Sequence, residues 1–140
     1  MRQNTVDKKI KWGDLDSLGI VFYPRFYEWI DACAHLFFES INLNIVELWR
    51  ERKILFGLAE TSSRYFKPGR YHQEIRITTS IDALEEKTVV LKHSMRAKTN
   101  KALMVEGFEK RICLDVSNPL DFKAIDIPKD IFNMLKKTAS

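Results

Sequence analysis

Pro24-Arg25-Phe26-Tyr27-Glu28-Trp29-Ile30-Asp31-Ala32-Cys33-Ala34-His35-Leu36-Phe37-Phe38-Glu39-Ser40-Ile41 is the stretch on which the fold turns. Phe26, Ile30, Cys33, Phe37 and Ile41 recur at steps of 4, 3, 4 and 4, and Arg25, Glu28, Asp31, His35 and Glu39 mark the opposite stripe. That is the period of an amphipathic helix. Pro24 opens it, where a missing N–H and a fixed φ cost nothing. Eleven of these 18 residues are hydrophobic, so the apolar face is too wide for a helix resting on a surface; it must be mostly enclosed by other structure. The ionisable residues Glu28, Asp31, His35 and Glu39 argue against a membrane span.

Working outward, residues 5–12 read as a short strand ending at Gly13, and a loop over 13–23 leads into the helix. A second short helical pattern follows around 45–50. From Phe56 the period changes from 3.6 to 2. Residues 56–66 read as a strand and Lys67-Pro68-Gly69-Arg70 as a turn. In 74–82, Ile75, Ile77, Thr79 and Ile81 alternate against polar neighbours. The strand over 87–98 carries Val89, Leu91, His93, Met95 and Ala97 on one face. Thr99-Asn100 reverses the chain, 101–114 pairs back, and Asn118-Pro119 ends that strand. A last helix begins at Pro128-Lys129-Asp130 and ends near Lys137. One long helix followed by strands on short connections implies an α+β domain, an antiparallel sheet packed on a dominant helix, with residues 1–140 as one domain.

Composition narrows the class. With 140 residues, 45% of them hydrophobic, the chain has an ordinary core complement. No run reaches the roughly 18 uncharged apolar residues of a membrane span. Met1-Arg2-Gln3-Asn4-Thr5-Val6-Asp7 lacks the apolar block of a secretory signal, which reads as cytoplasmic. Cys33 and Cys113 sit apart in apolar stretches, which speaks against a disulfide framework or a structural zinc. The net charge of +4 permits an anionic partner, but the basic residues are spread along the chain rather than gathered on the stripe a nucleic-acid binder uses.

The chemistry concentrates in the loop before the long helix. Asp14 and Asp16 fit positions 1 and 3 of a calcium loop, but Leu18 and Arg25 stand at positions 5 and 12, so the loop fails as a cation site. Beside a helix N-terminus the same carboxylates acquire another use. Backbone N–H groups there carry a partial positive charge and can polarise a carbonyl oxygen. A carboxylate with such an amide suffices for acyl hydrolysis without a serine triad, a metal or any cofactor.

The run Trp12-Gly13-Asp14-Leu15-Asp16-Ser17-Leu18-Gly19-Ile20-Val21-Phe22-Tyr23-Pro24, continued by Arg25-Phe26-Tyr27-Glu28-Trp29-Ile30-Asp31-Ala32, resembles the signature of 4-hydroxybenzoyl-CoA thioesterase-like proteins. Lys92-His93-Ser94-Met95 and Lys123-Ala124-Ile125-Asp126-Ile127-Pro128 match as well. The resemblance implies a hot-dog fold, with an antiparallel sheet wrapped around one long central helix, and hydrolysis of an aryl- or short/medium-chain acyl-CoA to an acid and CoA. It places Asp16 on the catalytic carboxylate, as nucleophile or as general base for water. Tyr23 falls on the residue whose backbone N–H binds the thioester oxygen. Lys87 and Lys123 fall on basic positions that contact CoA phosphates, CoA being substrate rather than cofactor. It further implies active sites assembled across subunits of a homodimer or homotetramer. The loop differs from the family in carrying Ser17-Leu18 where Pro-Ala is common, and Glu85-Glu86 stand where the hydroxybenzoyl enzymes are basic.

Other residues read more plainly. His35 suits a surface or interface, His72 and His93 a structural role, and Cys33 the core. Glu60, a carboxylate among Leu58, Ala59 and Thr61, either lines the substrate pocket or is satisfied structurally. Arg64, Lys67, Arg70 and His72 surround the Pro-Gly turn, and a solvated turn is the simpler reading than a phosphate site. A hydratase of similar fold would need a histidine in the loop, and none lies between residues 1 and 34. The remaining rival is a non-catalytic acyl-CoA-binding or regulatory protein. The width of the helix's apolar face makes association the first prediction: light scattering at micromolar concentration should find a dimer or tetramer, and a stable 16.4 kDa monomer would contradict it.

Overall fold

The computed structural model describes residues 1–140 and realises the long helix as α1, Pro24–Ser40. Phe26, Trp29, Ile30, Cys33, Ala34, Phe37 and Phe38 form its buried face. Strand β1 (Asn4–Lys9) precedes it. A short helix, α2 (Ile45–Glu47), continues as one π-helical turn over Leu48–Arg52, and Lys53 then turns the chain with φ 54°. Strands β2 (Ile54–Tyr65), β3 (Glu74–Leu84), β4 (Thr88–Ala97) and β5 (Leu103–Asp115) follow, then β6 (Lys123–Ala124) and helix α3 (Lys129–Ala139). The sequence reading anticipated these elements except β6, whose two residues carry no period. Helix α3 runs two residues beyond Lys137.

All pairings are antiparallel, in the order β1-β3-β4-β5-β2, with β6 added to the end of β5. The β4–β5 hairpin reverses at Thr99-Asn100, and a register shift between Met95 and Arg96 then sets His93 opposite Gly107 and Leu91 opposite Glu109. Even alternation sends Ile75, Ile77 and Ile81 of β3, Val89, Leu91 and Met95 of β4, and Val105 and Cys113 of β5 inward onto α1. The opposite face, with Thr78, Lys92, Ser94 and Arg96, is polar. One half of α1 (Phe26, Trp29, Ile30) packs with Ile75, Ile77, Met95 and Val105. The other half (Phe37, Phe38) packs with Leu91, Cys113 and the α3 residues Ile131 and Leu135. No helix is long and apolar enough to cross a membrane.

Beside Thr79, three ionisable residues break the apolar pattern of the inward face. His93 is 0%, Glu109 2% and Arg111 4% exposed. Thr79 Oγ1 lies 2.8 Å from His93 Nδ1, and the Glu109 carboxylate accepts from His93 Nε2 at 2.9 Å. Arg111 Nη2 donates at 2.6 Å both to Glu109 and to Asp31 on α1, and Nη1 donates to the Phe56 carbonyl at 3.3 Å. The network therefore ties the centre of the sheet to the middle of the helix. These partners offset the desolvation of the buried groups, although Arg111 Nε is left without one. Glu109→Ala, which strands both His93 and Arg111, should cost about 3–5 kcal/mol in urea unfolding. The triple change His93→Leu, Glu109→Met, Arg111→Leu should cost less than that single substitution; a larger cost for the triple would refute the pairing.

Candidate active site

The loop between β1 and α1 is fixed almost wholly by its own backbone. A 3₁₀ turn at Trp12–Asp14 is capped by Asp14, whose Oδ2 accepts the Lys11 N–H at 2.9 Å. Asp14 Oδ1 also lies 3.9 Å from Arg25 Nε, and its carbonyl accepts from Phe22 N–H at 2.9 Å. Asp14 is thus a structural carboxylate. A small hairpin follows, with Leu15 paired to Val21 and Asp16 N–H donating to the Ile20 carbonyl at 2.9 Å. Gly19 closes it with φ +76°, a conformation side chains disfavour. Asp16 sits at the corner, half-buried. Its Oδ1 accepts the Leu18 N–H at 2.8 Å, its only hydrogen-bond partner.

Tyr23 stands immediately before α1 with φ −55° and ψ −31°. Arg25 N–H donates to Phe22 O at 2.9 Å and Phe26 N–H to Tyr23 O at 3.1 Å, and Pro24 has no N–H. The Tyr23 N–H donates to no group in the protein. One free amide therefore stands at the positive end of a 17-residue helix.

Tyr23 lines a groove of about 310 Å³ with Ile20, Phe26, Tyr65, Phe66 and Lys67. The Tyr65 ring lies 5.8 Å from that of Phe26. Partial burial, then hydrogen bonding with Tyr27, push its phenol up to about 12, so it stays protonated at neutral pH. Burial likewise pushes the Cys33 and Cys113 thiols up to about 11, which fits inert core cysteines. A smaller apolar pocket of about 130 Å³, walled by Phe38, Leu48, Leu55 and Phe56, has His35 among its lining residues. His35 lies twelve residues along α1 from Tyr23, roughly 18 Å away.

The remaining sequence candidates do not converge on the loop within one subunit. Glu60 is exposed at a β-bulge of β2 and lines a groove with Thr61, Ser62, Phe108 and Lys110. Lys87 pairs with Asp126 at 2.8 Å, and its carbonyl accepts from Cys113 N–H. Lys123, on β6, reaches Asp121 at 4.0 Å. Both lysines stand at the Cys113–Asp115 end of β5, whereas Tyr65, beside the loop, pairs with Val105. Ten strand residues separate the two ends, roughly 30 Å. Sequence reading missed Glu109 and Arg111, although both share the inward parity of Val105 and Cys113. It also left the groove aromatic Tyr65 unassigned to a site.

A long helix enclosed by a curled antiparallel sheet, with a carboxylate-bearing loop at the helix N-terminus, is the hot-dog architecture of the α+β class. The family model described as Thioesterase superfamily matches residues 18–103, a span that includes Tyr23, Glu60 and Lys87 and begins two residues after Asp16. The chain belongs to the thioesterase superfamily. It is 25% identical over 141 residues to 4-hydroxybenzoyl-CoA thioesterase of Pseudomonas sp. strain CBS-3, covering 95% of this chain and 97% of that protein. The solved structure of that enzyme superimposes with a TM-score of 0.87 over 96% of this chain and 99% of the other, at 25% identity. A gentisyl-coenzyme A thioesterase structure gives a TM-score of 0.79 at 28% identity, covering 95% and 99% of the two chains.

Proposed function

We propose that the protein hydrolyses an aryl- or short/medium-chain acyl-CoA thioester to a carboxylic acid and free CoA. The observation that carries this reading is the single free amide of Tyr23 at the N-terminus of α1, in a loop shared with a carboxylate that has one oxygen uncommitted. The Tyr23 N–H would receive the developing oxyanion, with the helix dipole behind it. Asp16 then has two routes. As nucleophile it attacks the carbonyl carbon, the C–S bond breaks, CoA leaves as thiolate, and water hydrolyses the mixed anhydride. As general base it takes a proton from water while that water attacks, and the proton passes to the leaving thiolate. Neither route draws on a cofactor. The aromatic groove beside Tyr23 suits an aryl or acyl group, in keeping with relatives named for hydroxybenzoyl and gentisyl thioesters.

The remaining assignments belong to an assembly. We read residues 1–140 as one hot-dog domain that forms a homodimer or homotetramer. The edge strand β2 supports this, being twelve residues long, unpaired on its outer side and largely exposed on both faces. Unpaired strand edges are templates for another chain. Lys87 and Lys123 would contact CoA phosphates, and Glu60 the substrate, at a site completed by a neighbouring subunit, because within one subunit the lysines are too distant. We place the protein in the cytoplasm, with acyl-CoA as its small-molecule partner and neither nucleic acid nor membrane.

Asp16→Asn keeps the shape of the loop but can neither attack a thioester nor accept a proton. It should lower kcat by about 10²–10⁴-fold, or roughly 3–5 kcal/mol of barrier, with Tm nearly unchanged. Asp14→Asn weakens the turn cap and the Arg25 contact, so its cost should appear mainly as about 1–2 kcal/mol of stability. Near-normal turnover by the Asp16 variant beside an inactive Asp14 variant would reverse these two roles.

A further inference from the structure

We propose that the apolar pocket between α1, α2 and the start of β2 is a second ligand site, one that takes a single phenolic ring and receives its hydroxyl at His35. The pocket stands apart from the Tyr23 amide, and its occupancy is read without turnover, so it goes beyond the hydrolase reading above and does not depend on it.

Three elements build the pocket. Phe38 comes from the C-terminal half of α1, Ile45 and Leu48 from α2 and the π-helical turn after it, and Leu55 and Phe56 from the first residues of β2. Asn44 Oδ1 accepts the Glu47 N–H at 3.1 Å and starts α2. Lys53, at φ 54°, ends the π turn and sends the chain into β2. The Phe38 and Phe56 rings stack at 5.4 Å and 25°, which gives the pocket a flat aromatic wall. Its volume is about 130 Å³. An apolar protein cavity of about 150 Å³ holds a benzene molecule, so one six-membered ring is the size this pocket takes.

His35 is the one polar residue of that lining. Its Nδ1 faces Asp31 Oδ2 at 3.6 Å, one helical turn back, which leaves Nε2 to a ligand. Asp31 is held in turn from the sheet. Its Oδ1 accepts from Arg111 Nη2 at 2.6 Å, and Arg111 Nη1 donates at 3.3 Å to the carbonyl of Phe56, itself a pocket residue. The Arg111 side chain is 5% exposed and its Nε has no hydrogen-bond partner. A buried ion network is a poor source of stability, since apolar residues of like volume often serve as well. Orienting the one polar group of a binding site gives this network a use. A carboxylate beside Nδ1 favours the tautomer that carries hydrogen there, so Nε2 accepts and the ligand must donate. A phenol donates from a flat ring, whereas an aryl acid bound through its carboxylate would bring like charge toward Asp31. Roughly 18 Å separates His35 from Tyr23, so a ring bonded to a thioester at that amide does not reach the pocket of its own subunit. The occupant is a free phenolic molecule or the aryl group of a thioester on a second copy of the chain; ring and hydroxyl are common to both.

The test is NMR titration of the full chain with 4-methylphenol and with toluene, which differ by one hydroxyl. The wild type should bind 4-methylphenol with a Kd of about 1 mM or below, at least about tenfold tighter than toluene, with shifts centred on Ile45, Leu48 and Leu55. In His35→Leu the gap between the two compounds should close while toluene still binds. Ile45→Trp, which fills the pocket, should abolish both. Equal affinity of the wild type for the two compounds overturns the proposal, and so does binding that Ile45→Trp leaves intact. Should the tryptophan variant not fold, His35→Leu still decides, because an undiminished gap there overturns the role of His35. Hydrolysis then identifies the source. Competitive inhibition of aroyl-CoA turnover by 4-methylphenol, with a raised KM in Ile45→Trp, supports a ring carried by the thioester of a second copy. An effect on kcat alone, or none, beside intact binding supports a free phenol. If the wild type turns over no aroyl-CoA, the hydrolase reading fails separately and the titration alone judges the pocket.

Discussion

The spacing between helix α1 and the centre of the sheet is set at Gly107 on β5. A Cβ at this position would run into the Ile30 side chain and lie 3.3 Å from Ser63 Oγ, so the strand backbone and the helix meet with nothing between them. Two turns of strand register away, Arg111 reaches from the same face of β5 to Asp31, one residue beyond Ile30. A close steric contact and a buried ion pair thus fix the helix at neighbouring points, one setting its depth and the other its rotation. Close-packed interiors transmit such constraints rigidly. The two apolar clusters along α1 then follow, one around Phe26, Trp29 and Ile30 and one around Phe37 and Phe38.

The position of the helix dictates the chemistry available at its N-terminus. Most helices leave several N–H groups open at that end. Here Pro24 has no N–H, the Phe22 and Tyr23 carbonyls engage the Arg25 and Phe26 amides, and the Tyr23 N–H is left open to a ligand. The adjoining loop is stiffened by Asp14, by the Leu15–Val21 bridge and by Gly19, and it presents Asp16 at a corner. The same loop is fastened on its other side to the Gly69–Arg70 backbone. Amide, carboxylate, aromatic groove and basic turn are therefore parts of one rigid substructure around the helix end.

Much of this was legible in the sequence. The 4-3-4-4 spacing from Phe26 to Ile41 gave α1 its bounds, and the alternation from Ile75 to Ile81 identified a half-buried strand. The reversal at Thr99-Asn100 implies a hairpin whose paired numbers sum to 199, as at Arg96 and Leu103; a bulge between Met95 and Arg96 shifts the sum to 200 and sets His93 across from Gly107. The bulge was not legible, but strand parity counted from Val105 and Cys113 suffices to place Glu109 and Arg111 inside. They escaped notice because charged residues in an alternating strand ordinarily mark the solvent face. Strand β6 was not legible, since two residues have no period and pair only because the end of β5 is available. The distance between the Asp16 loop and Lys87 or Lys123 was also beyond local pattern, because it depends on the direction in which β5 crosses the helix.

The central claim is that the loop at the start of α1 cleaves a thioester rather than merely binding one. Release of free thiol, followed colorimetrically across a panel of aryl-, short-chain and long-chain acyl-CoAs, tests it most directly. Turnover of aryl or short- to medium-chain substrates, with one equivalent of acid formed per thiol, is the expected result. Binding of these acyl-CoAs with no thiol released from any of them would contradict the claim and leave an acyl-CoA-binding protein of the same fold.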